Sequence, residues 1–223
     1  MNKISSGNAH LDTFLDGGYE EDILTTIYGP AGSGKTILCM LAAANAKKKV
    51  IYIDSEGGFS VERLMQMRPD FKEVLGNILF LNPLNFDEQK RVFERLKKLV
   101  TDQIGLIVFD SVAMLYKLEI GKTKDVFTAN KELGLQVSFL AEIARKRKIP
   151  VMITNHVYSD HEDGSIHIVG GDVLKYASKS LLELQVDPEK AGVRKLIIRK
   201  HRSSPEGKVF LFRITGEGVE EVK

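Results

Sequence analysis

Short apolar runs alternate along the chain with longer segments of helical period. The first five runs are apolar almost throughout, as strands buried on both faces of a parallel sheet are. The pattern predicts strands at residues 22–28, 49–54, 77–81, 106–110, 151–155, 180–186, 195–200 and 208–214. It predicts helices at residues 35–46, 60–67, 86–101, 128–146 and 172–177.

The connections between these runs indicate the topology. Helical segments separate the first five strands, whereas turn residues at 187–192 and 203–207 separate the last three. This order predicts an α/β fold, with a mostly parallel twisted sheet flanked by helices and antiparallel strands at its C-terminal edge. Two long connections, 112–127 and 158–169, are expected on the surface beside strand ends, where such sheets usually place their functional residues.

Composition narrows the class of protein. The 223 residues fit one domain, 1–223, and the net charge of +2 neither requires nor excludes nucleic acid. Cys39 is the single cysteine and lies among apolar neighbours in a predicted helix, which favours a small buried residue over a nucleophile. No apolar run approaches the roughly 20 residues needed to span a bilayer. We therefore expect a cytoplasmic protein without a membrane partner.

A glycine-rich loop, GPAGSGKT, follows the first predicted strand and precedes a helix. Glycines let the backbone approach phosphate oxygens, and the start of the helix favours anions. Lys35 is placed to reach the β- and γ-phosphates and the Thr36 hydroxyl to ligate Mg²⁺. The predicted nucleotide-binding residues are Gly29, Pro30, Ala31, Gly32, Ser33, Gly34, Lys35, Thr36 and Ile37.

Two carboxylates complete the predicted chemistry. Asp110 ends the apolar run LIVFD, where it can hold Mg²⁺ opposite Thr36, with Ser111 next to it as a donor to the water shell. Glu56 lies just past the second strand, where it can deprotonate the water that attacks the γ-phosphate. Asp54 competes for this role, although its position suits a cap on the turn that follows the strand. Glu56 and Lys35 are the predicted catalytic residues.

Several further segments make the chain resemble the RecA/RadA recombinase superfamily, and within it the archaeal RadB branch. The resemblance begins with SGNAHLDTFLDGG and continues through GPAGSGKT, YIDSEGGFSVERL, LIVFDS, PVMITNHV and GGDVLKYASKSLLEL. It implies a RecA-like P-loop NTPase core that binds ATP and Mg²⁺, with residues 1–21 packed on that core. The related recombinases carry an N-terminal helix–hairpin–helix domain, which is not expected in this chain.

The resemblance also assigns roles to individual residues. His156 stands where relatives have a glutamine that senses the γ-phosphate, although a histidine that simply satisfies a strand end is an alternative. Lys200 and Arg202 fit a cation pair that reaches the nucleotide of a neighbouring subunit, so a second copy of the chain is an expected partner.

The two long connections correspond to the DNA-binding loops of the family. Candidate contacts are Tyr116, Lys117, Lys122 and Lys124 in the first loop, and Tyr158, His161 and His167 in the second. An ordinary solvated loop is the alternative for the first, and Asp160, Glu162 and Asp163 argue against strong DNA contact in the second. The cluster at 145–148 is interpreted mainly as cations at the end of a helix, with DNA contact as the alternative.

Three functions remain open at this stage. The leading one is an ATP-binding accessory protein of DNA repair and homologous recombination, with a weak Mg²⁺-dependent ATPase, that binds single-stranded DNA and assists the main recombinase of the RadA type. The second is a ring-forming RecA-fold ATPase of the clock or helicase type. The third is a nucleotide-gated protein-interaction module in which hydrolysis matters little.

Overall fold

The structure, a computed structural model, describes residues 2–159 and 166–222. Its helices are α1 (Ala9–Phe14), α2 (Lys35–Asn45), α3 (Val61–Met67), α4 (Phe71–Gly76), α5 (Phe86–Leu99), α6 (Met114–Ile120), α7 (Val126–Arg147) and α8 (Asp172–Ala177). Its strands are β1 (Lys3–Ile4), β2 (Tyr19–Glu20), β3 (Leu24–Tyr28), β4 (Lys49–Asp54), β5 (Ile78–Leu81), β6 (Ile104–Asp110), β7 (Val151–Asn155), β8 (Val157–Ser159), β9 (Ile166–Ile168), β10 (Ser180–Val186), β11 (Val193–His201), β12 (Val209–Thr215) and β13 (Gly218–Glu221).

Nine of these strands form one sheet in the order β13-β12-β11-β10-β3-β7-β6-β4-β5. The strands from β10 to β5 pair in parallel. The strands β10 to β13 pair antiparallel, at the edge that the end of the chain forms. The predicted architecture, a mostly parallel sheet with antiparallel strands at its C-terminal edge, is therefore confirmed.

Alternate residues of each central strand pack against different helices. In β4, Ile51 and Ile53 belong to the hydrophobic layer that also contains residues of α5, α6, α7 and α8. Val50 and Tyr52 belong to the opposite layer, which contains residues of α1, α2, α3 and α4. This period of two is what a strand with both faces covered requires. Because the parallel strands share one direction, their carboxyl ends meet at one edge, which carries the phosphate loop.

Helix α6 corrects the prediction for the first long connection, which had been expected to be surface loop throughout. Leu115 and Tyr116 of this helix are buried, and the Tyr116 hydroxyl donates to Asn130 Oδ1 at 2.5 Å. Tyr116 is therefore not available to stack on a base. The helix has only seven residues, too few for periodicity to separate it from a loop.

The second long connection contains two short strands, β8 and β9, which pair antiparallel through Tyr158 and His167. It was also expected to be loop. His161 and the three acidic residues predicted to weaken DNA contact, Asp160, Glu162 and Asp163, lie outside the described residues. Tyr158 is described and is 49% exposed, and its ring lies 5.6 Å from that of His167.

The predicted burial of Cys39 is confirmed, because its side chain is fully enclosed in α2. Burial also raises the pKa of its thiol well above the ordinary value, which disfavours the reactive thiolate. Among the helices described, none combines the length and the apolar character needed to cross a membrane.

Candidate functional site

The phosphate loop, residues 29–34, connects the end of β3 to the start of α2. Gly32 and Gly34 have φ of +73° and +104°, a region that side chains with a Cβ rarely adopt. Gly34 is the N-cap of α2, and its carbonyl accepts the first helical bond, from Leu38 N–H at 3.1 Å. The loop therefore presents the positive end of an 11-residue helix to the surface at the carboxyl edge of the sheet.

Lys35 is buried at the base of this loop, and its ammonium folds back over it. Lys35 Nζ donates to Gly29 O at 3.0 Å and to Pro30 O at 2.9 Å. Burial lowers the pKa of Lys35 below its ordinary value, and the negative charges of Glu56 and Asp110 oppose that shift. The ammonium is thus held within the loop in a partly desolvated setting, where an anionic ligand interacts with it more strongly than in water.

Asp110 lies at the end of β6 and contacts the phosphate loop through Thr36. Asp110 Oδ2 accepts from Thr36 Oγ1 at 2.6 Å and from the Tyr52 hydroxyl at 3.3 Å, and Oδ1 accepts from the Thr154 hydroxyl. Burial raises the pKa of Asp110, while the hydrogen bonds from Thr154 and Thr36 oppose the rise. A buried carboxylate beside a hydroxyl is a suitable oxygen pair for Mg²⁺.

Two further observations bear on whether Mg²⁺ fits here. The Ser111 hydroxyl, next to Asp110 in the chain, is buried and has no hydrogen-bond partner among the described residues. Across residues 2–159 and 166–222, no group of three or more His, Cys, Asp or Glu side chains is arranged to hold a metal ion. Mg²⁺ would therefore depend on Thr36, Asp110 and oxygens of a bound nucleotide, as it does in phosphate-loop sites.

Glu56 lies in the loop after β4 and contacts His156, at the end of β7. His156 Nε2 is 2.7 Å from Glu56 Oε1, and the two side chains are 29% and 24% exposed. Burial raises the pKa of Glu56, but the hydrogen bond from His156, the nearby Ser111 hydroxyl and the charge of Lys35 together outweigh it and lower the pKa below the ordinary value. The residue predicted as the base and the one predicted as the γ-phosphate sensor therefore form a pair.

Asp54 has the capping role that its position suggested. Its Oδ1 accepts from the amides of Glu56 at 3.2 Å and Gly58 at 3.1 Å, and its Oδ2 accepts from Phe59 N–H at 3.1 Å. These three bonds fix the loop that carries Glu56 above the phosphate loop. They also occupy the Asp54 carboxylate, which favours Glu56 over Asp54 as the base.

Three polar residues of the site were not predicted from the sequence. Tyr52 and Thr154 hold Asp110 from the neighbouring strands. Arg194, at the start of β11, donates to Gly32 O through Nε at 3.4 Å and Nη2 at 3.3 Å. No local pattern could have identified Arg194, because 162 residues separate it from Gly32 in the chain.

The candidate DNA-binding residues border a groove near this edge. Lys117 of α6, Tyr158 of β8 and Asn130 of α7 line a groove of about 430 Å³, so residues of both long connections meet there. Lys122 and Lys124 follow α6 and are exposed. The arrangement supplies cations for phosphates and one exposed ring for a base.

Lys200 and Arg202 lie at the opposite end of the sheet from the phosphate loop of their own chain. Strand β11 begins near Gly32 and ends at His201, which pairs with Ser180 at the start of β10. The strand spans nine residues, so about 25 Å separates its ends. These two cations could therefore act on a nucleotide only from a second copy of the chain.

Arg202 also has partners within its own chain. Arg202 Nε donates to Glu20 Oε2 at 2.5 Å and Nη2 to Asp22 Oδ1 at 2.6 Å, and the Glu20 side chain is fully buried. Burial raises the pKa of Glu20, but hydrogen bonds from Ser203 and Arg202 outweigh it and lower the pKa. Arg202 thus stabilises the packing of residues 2–22 on the sheet within its own chain.

Replacing Arg202 by alanine is expected to destabilise the isolated protein by about 3 kcal/mol, because it leaves Glu20 as a poorly compensated buried charge. Lys200→Ala removes only a bond to Lys175 O and is expected to cost less than about 1 kcal/mol. Urea denaturation of both variants at one protein concentration measures the difference. Equal stabilities would show that the Arg202–Glu20 pair contributes nothing to folding.

Comparison with known proteins places this geometry in a family. The sequence model of the Rad51 family matches residues 1–222. The chain is 40% identical over 223 residues to the "DNA repair and recombination protein RadB" of Thermococcus gammatolerans, covering 98% of this chain and 99% of that protein. It is 38% identical over 224 residues to the protein of that name from Thermococcus kodakarensis, covering 99% and 100%. A solved structure, "Crystal structure of the RadB recombinase", has a TM-score of 0.85 and 37% identity, and covers 99% of this chain and 100% of that chain.

Proposed function

The chain belongs to the Rad51 family, and from that membership we propose that it is an ATP-binding protein of DNA repair and homologous recombination. It binds single-stranded DNA and assists the main recombinase of the RadA type in the cytoplasm. One observation supports the nucleotide part of the proposal above all: the contact between Thr36 and Asp110 directly beside the phosphate loop. The family match over residues 1–222 supports the role in recombination.

ATP binding follows from the phosphate loop. The loop amides and the start of α2 bind the phosphate chain, and Lys35 exchanges its two carbonyl partners for phosphate oxygens. Thr36 and Asp110 would hold Mg²⁺, which would supply positive charge beside the phosphates of the bound nucleotide. The exposed guanidinium of Arg194, already bonded to Gly32 O, adds a cation at the rim of the site.

Hydrolysis at this site is expected to be slow. Glu56 accepts the proton of the attacking water, but its carboxylate must first exchange its bond with His156 for one with that water. The cations Lys200 and Arg202 are absent from the site of their own chain, and a trans-acting cation is worth about 10³–10⁵ in rate. A faster rate therefore requires a second copy of the chain.

A nucleotide-gated interaction module is the second candidate, and the Glu56–His156 contact favours it. If this pair rarely opens, ATP binding alone changes the surface around β7 and the second long connection. The family match favours both of these functions over the ring-forming ATPase, because the related proteins carry the RadB name over their full length.

The DNA role predicts a defined salt dependence. The triple variant Lys117→Ala, Lys122→Ala and Lys124→Ala is expected to bind single-stranded DNA more weakly, with a slope of log affinity against log salt that is less steep by about 2. Fluorescence anisotropy with a labelled oligonucleotide, with ATP and with ADP, measures this. Each lost phosphate contact on a single strand contributes about 0.7 to the slope.

One control and one further variant define the outcome. Lys72→Ala with Lys190→Ala removes exposed lysines elsewhere on the surface and is expected to leave the slope unchanged. Tyr158→Ala removes the exposed ring and is expected to lower affinity by about 1–3 kcal/mol at every salt concentration, because stacking does not release counterions. A native protein without salt-dependent affinity for single strands would rule out the DNA role.

A further inference from the structure

Nine exposed cations lie together at the end of the sheet that is farthest from the phosphate loop. We call this surface the basic pole, and it consists of Lys47, Lys48, Lys49, Lys97, Lys98, Arg145, Lys146, Arg147 and Lys148. Lys47 and Lys48 join α2 to β4, and Lys49 begins β4. Lys97 and Lys98 lie in the last turn of α5, and the last four residues end α7 or follow it. Three segments that are distant in the chain thus bring their cations to one surface.

Contacts in the structure join these segments. Lys48 Nζ donates to Asp102 O at 3.1 Å, and Arg147 Nη1 lies 3.6 Å from Asp102 Oδ1, so the loop before β6 connects the α2 and α7 segments. Lys97, Lys146 and Arg147 line one shallow groove between α5 and α7. The cations are therefore neighbours in space, on a frame of packed helices and strands.

The charge of the basic pole is far from balanced. Three of its nine cations, Lys97, Arg147 and Lys146, form ion pairs with carboxylates. Their partners are Glu94, Asp102 and Glu142 in that order. Six charges remain in excess, although the whole chain carries only +2. The rest of the chain is consequently negative by about four charges, which concentrates the positive potential at this pole.

Helix dipoles account for only part of this cluster. Cations in the last turn of a helix are stabilised by about 0.3–1 kcal/mol, and Lys97, Lys98 and Arg145 to Arg147 satisfy that description. Lys47, Lys48 and Lys49 lie beyond Asn45, where α2 ends, and gain little from its dipole. Holding six excess like charges together opposes folding, so a polyanionic partner is the more consistent explanation.

We propose that the basic pole binds the phosphate backbone of double-stranded DNA. The pole extends across both helical layers and the sheet between them, about 20 Å in all. A duplex carries one negative charge per roughly 1.7 Å of its axis, which matches a dense and rigid array of cations. Phe139, the ring between α5 and α7, is partly buried beneath Lys97, at 5.9 Å. The exposed ring of Tyr176 lies to one side of the pole, in a pocket that it shares with Arg145, so the dense array of cations, and not the absence of rings, favours a duplex.

This surface is separate from the loops proposed to bind single strands. Strand β4 runs from Lys49 at the basic pole to Asp54 beside the nucleotide site, a distance of about 17 Å. Lys117 and Tyr158 lie at the groove near the carboxyl edge. The protein would thus hold a duplex at one end of its sheet and a single strand near the other, an arrangement suited to joining two DNA molecules. This arrangement rests on the proposed function, whereas duplex binding does not.

The test measures duplex binding by the full chain after two cations of the basic pole are replaced by glutamine. Lys47→Gln with Lys98→Gln removes one exposed cation from each side of the sheet. Lys190→Gln with Arg213→Gln, two exposed cations at the antiparallel edge, is the matched control. The pole variant is expected to lose about 30-fold in affinity for a blunt duplex at 0.1 M salt, with a slope less steep by about 1.8. Its ATP affinity and its single-strand affinity are expected to match those of the native protein.

The other possible results distinguish a failure of the duplex site from a failure of the proposed single-strand binding. A pole variant with the native duplex affinity and slope overturns the duplex site, and so does a native chain that does not bind duplex DNA. An equal loss on single strands overturns the assignment to duplex. The variant lacking Lys117, Lys122 and Lys124 provides the converse case: native single-strand binding by that variant would contradict the proposed function while leaving the duplex site intact.

Discussion

Lys35→Ala is expected to weaken ATP binding by about 100-fold or more and to abolish measurable hydrolysis. Lys35 Nζ is buried between the carbonyls of Gly29 and Pro30, in a setting that lowers its pKa through burial. Its bonds to phosphate oxygens would be charge-assisted, at about 1.5–3 kcal/mol each, and two such bonds correspond to at least two powers of ten in affinity. Isothermal titration calorimetry with Mg²⁺-ATP measures the loss.

Lys208→Ala is the matched control for this prediction. Lys208 Nζ also donates to a main-chain carbonyl, that of Phe14 at 2.6 Å, but it belongs to the connection before β12, away from the phosphate loop. The control is expected to bind ATP with native affinity. Native affinity in Lys35→Ala as well would mean that the loop does not bind the phosphates in the way proposed.

The parts of the fold that the sequence predicts well depend on local signals. The central strands are visible because both of their faces are covered, as in β6, where Leu106 to Phe109 are all fully buried. The ends of these strands then locate Asp110 and Glu56, because parallel strands present their carboxyl ends at one edge. The contact between Thr36 and Asp110 was therefore predictable, although 74 residues separate them.

Other features depend on contacts that no local pattern records. His156 and Glu56 are 100 residues apart, and Arg202 and Glu20 are 182 residues apart. Each of these residues is compatible with a solvated strand end when only its neighbours in the chain are considered. The same holds for the basic pole, which appears in the sequence as three ordinary lysine- or arginine-rich helix ends and becomes one surface only in the fold.

Glu56→Gln is expected to lower the rate of ATP hydrolysis by about 10²–10⁴ while changing ATP affinity by no more than a few-fold. Glutamine keeps the size of the side chain and a bond to His156, but it cannot take a proton from water. Steady-state phosphate release and ATP titration on one preparation separate the two effects. Glu62→Gln, an exposed carboxylate at the start of α3, is the control and is expected to be silent.

This variant also distinguishes the two candidate functions. If Glu56→Gln retains partner binding and activity in recombination while Lys35→Ala loses both, the nucleotide-gated module is supported. If the two variants are equally damaging, hydrolysis itself is required. An unchanged hydrolysis rate in Glu56→Gln would contradict the assignment of Glu56 as the base and would make Asp54 the candidate base.

The contact with His156 makes the pH dependence of hydrolysis informative. In the native chain burial raises the pKa of Glu56, and the bond from His156, with smaller effects of the Ser111 hydroxyl and the charge of Lys35, lowers it below the ordinary value. The base must be ionised, so the native rate is expected to persist to a pH below the ordinary carboxyl pKa. In His156→Ala the largest influence that opposes burial is lost, so the pKa of Glu56 rises and the acidic limb of kcat moves to higher pH.

His156→Gln separates the electrostatic effect from the hydrogen bond. Glutamine can still donate to Glu56 but carries no charge at any pH, so its acidic limb is expected between those of the native protein and His156→Ala. The measurement is kcat at saturating Mg²⁺-ATP from about pH 4 to 8 for all three proteins. If the acidic limb stays at one pH in all three, His156 does not control the ionisation of Glu56. A shift in the expected order would show that the His156 imidazole keeps Glu56 ionised. The same imidazole occupies the carboxylate that must bind the attacking water.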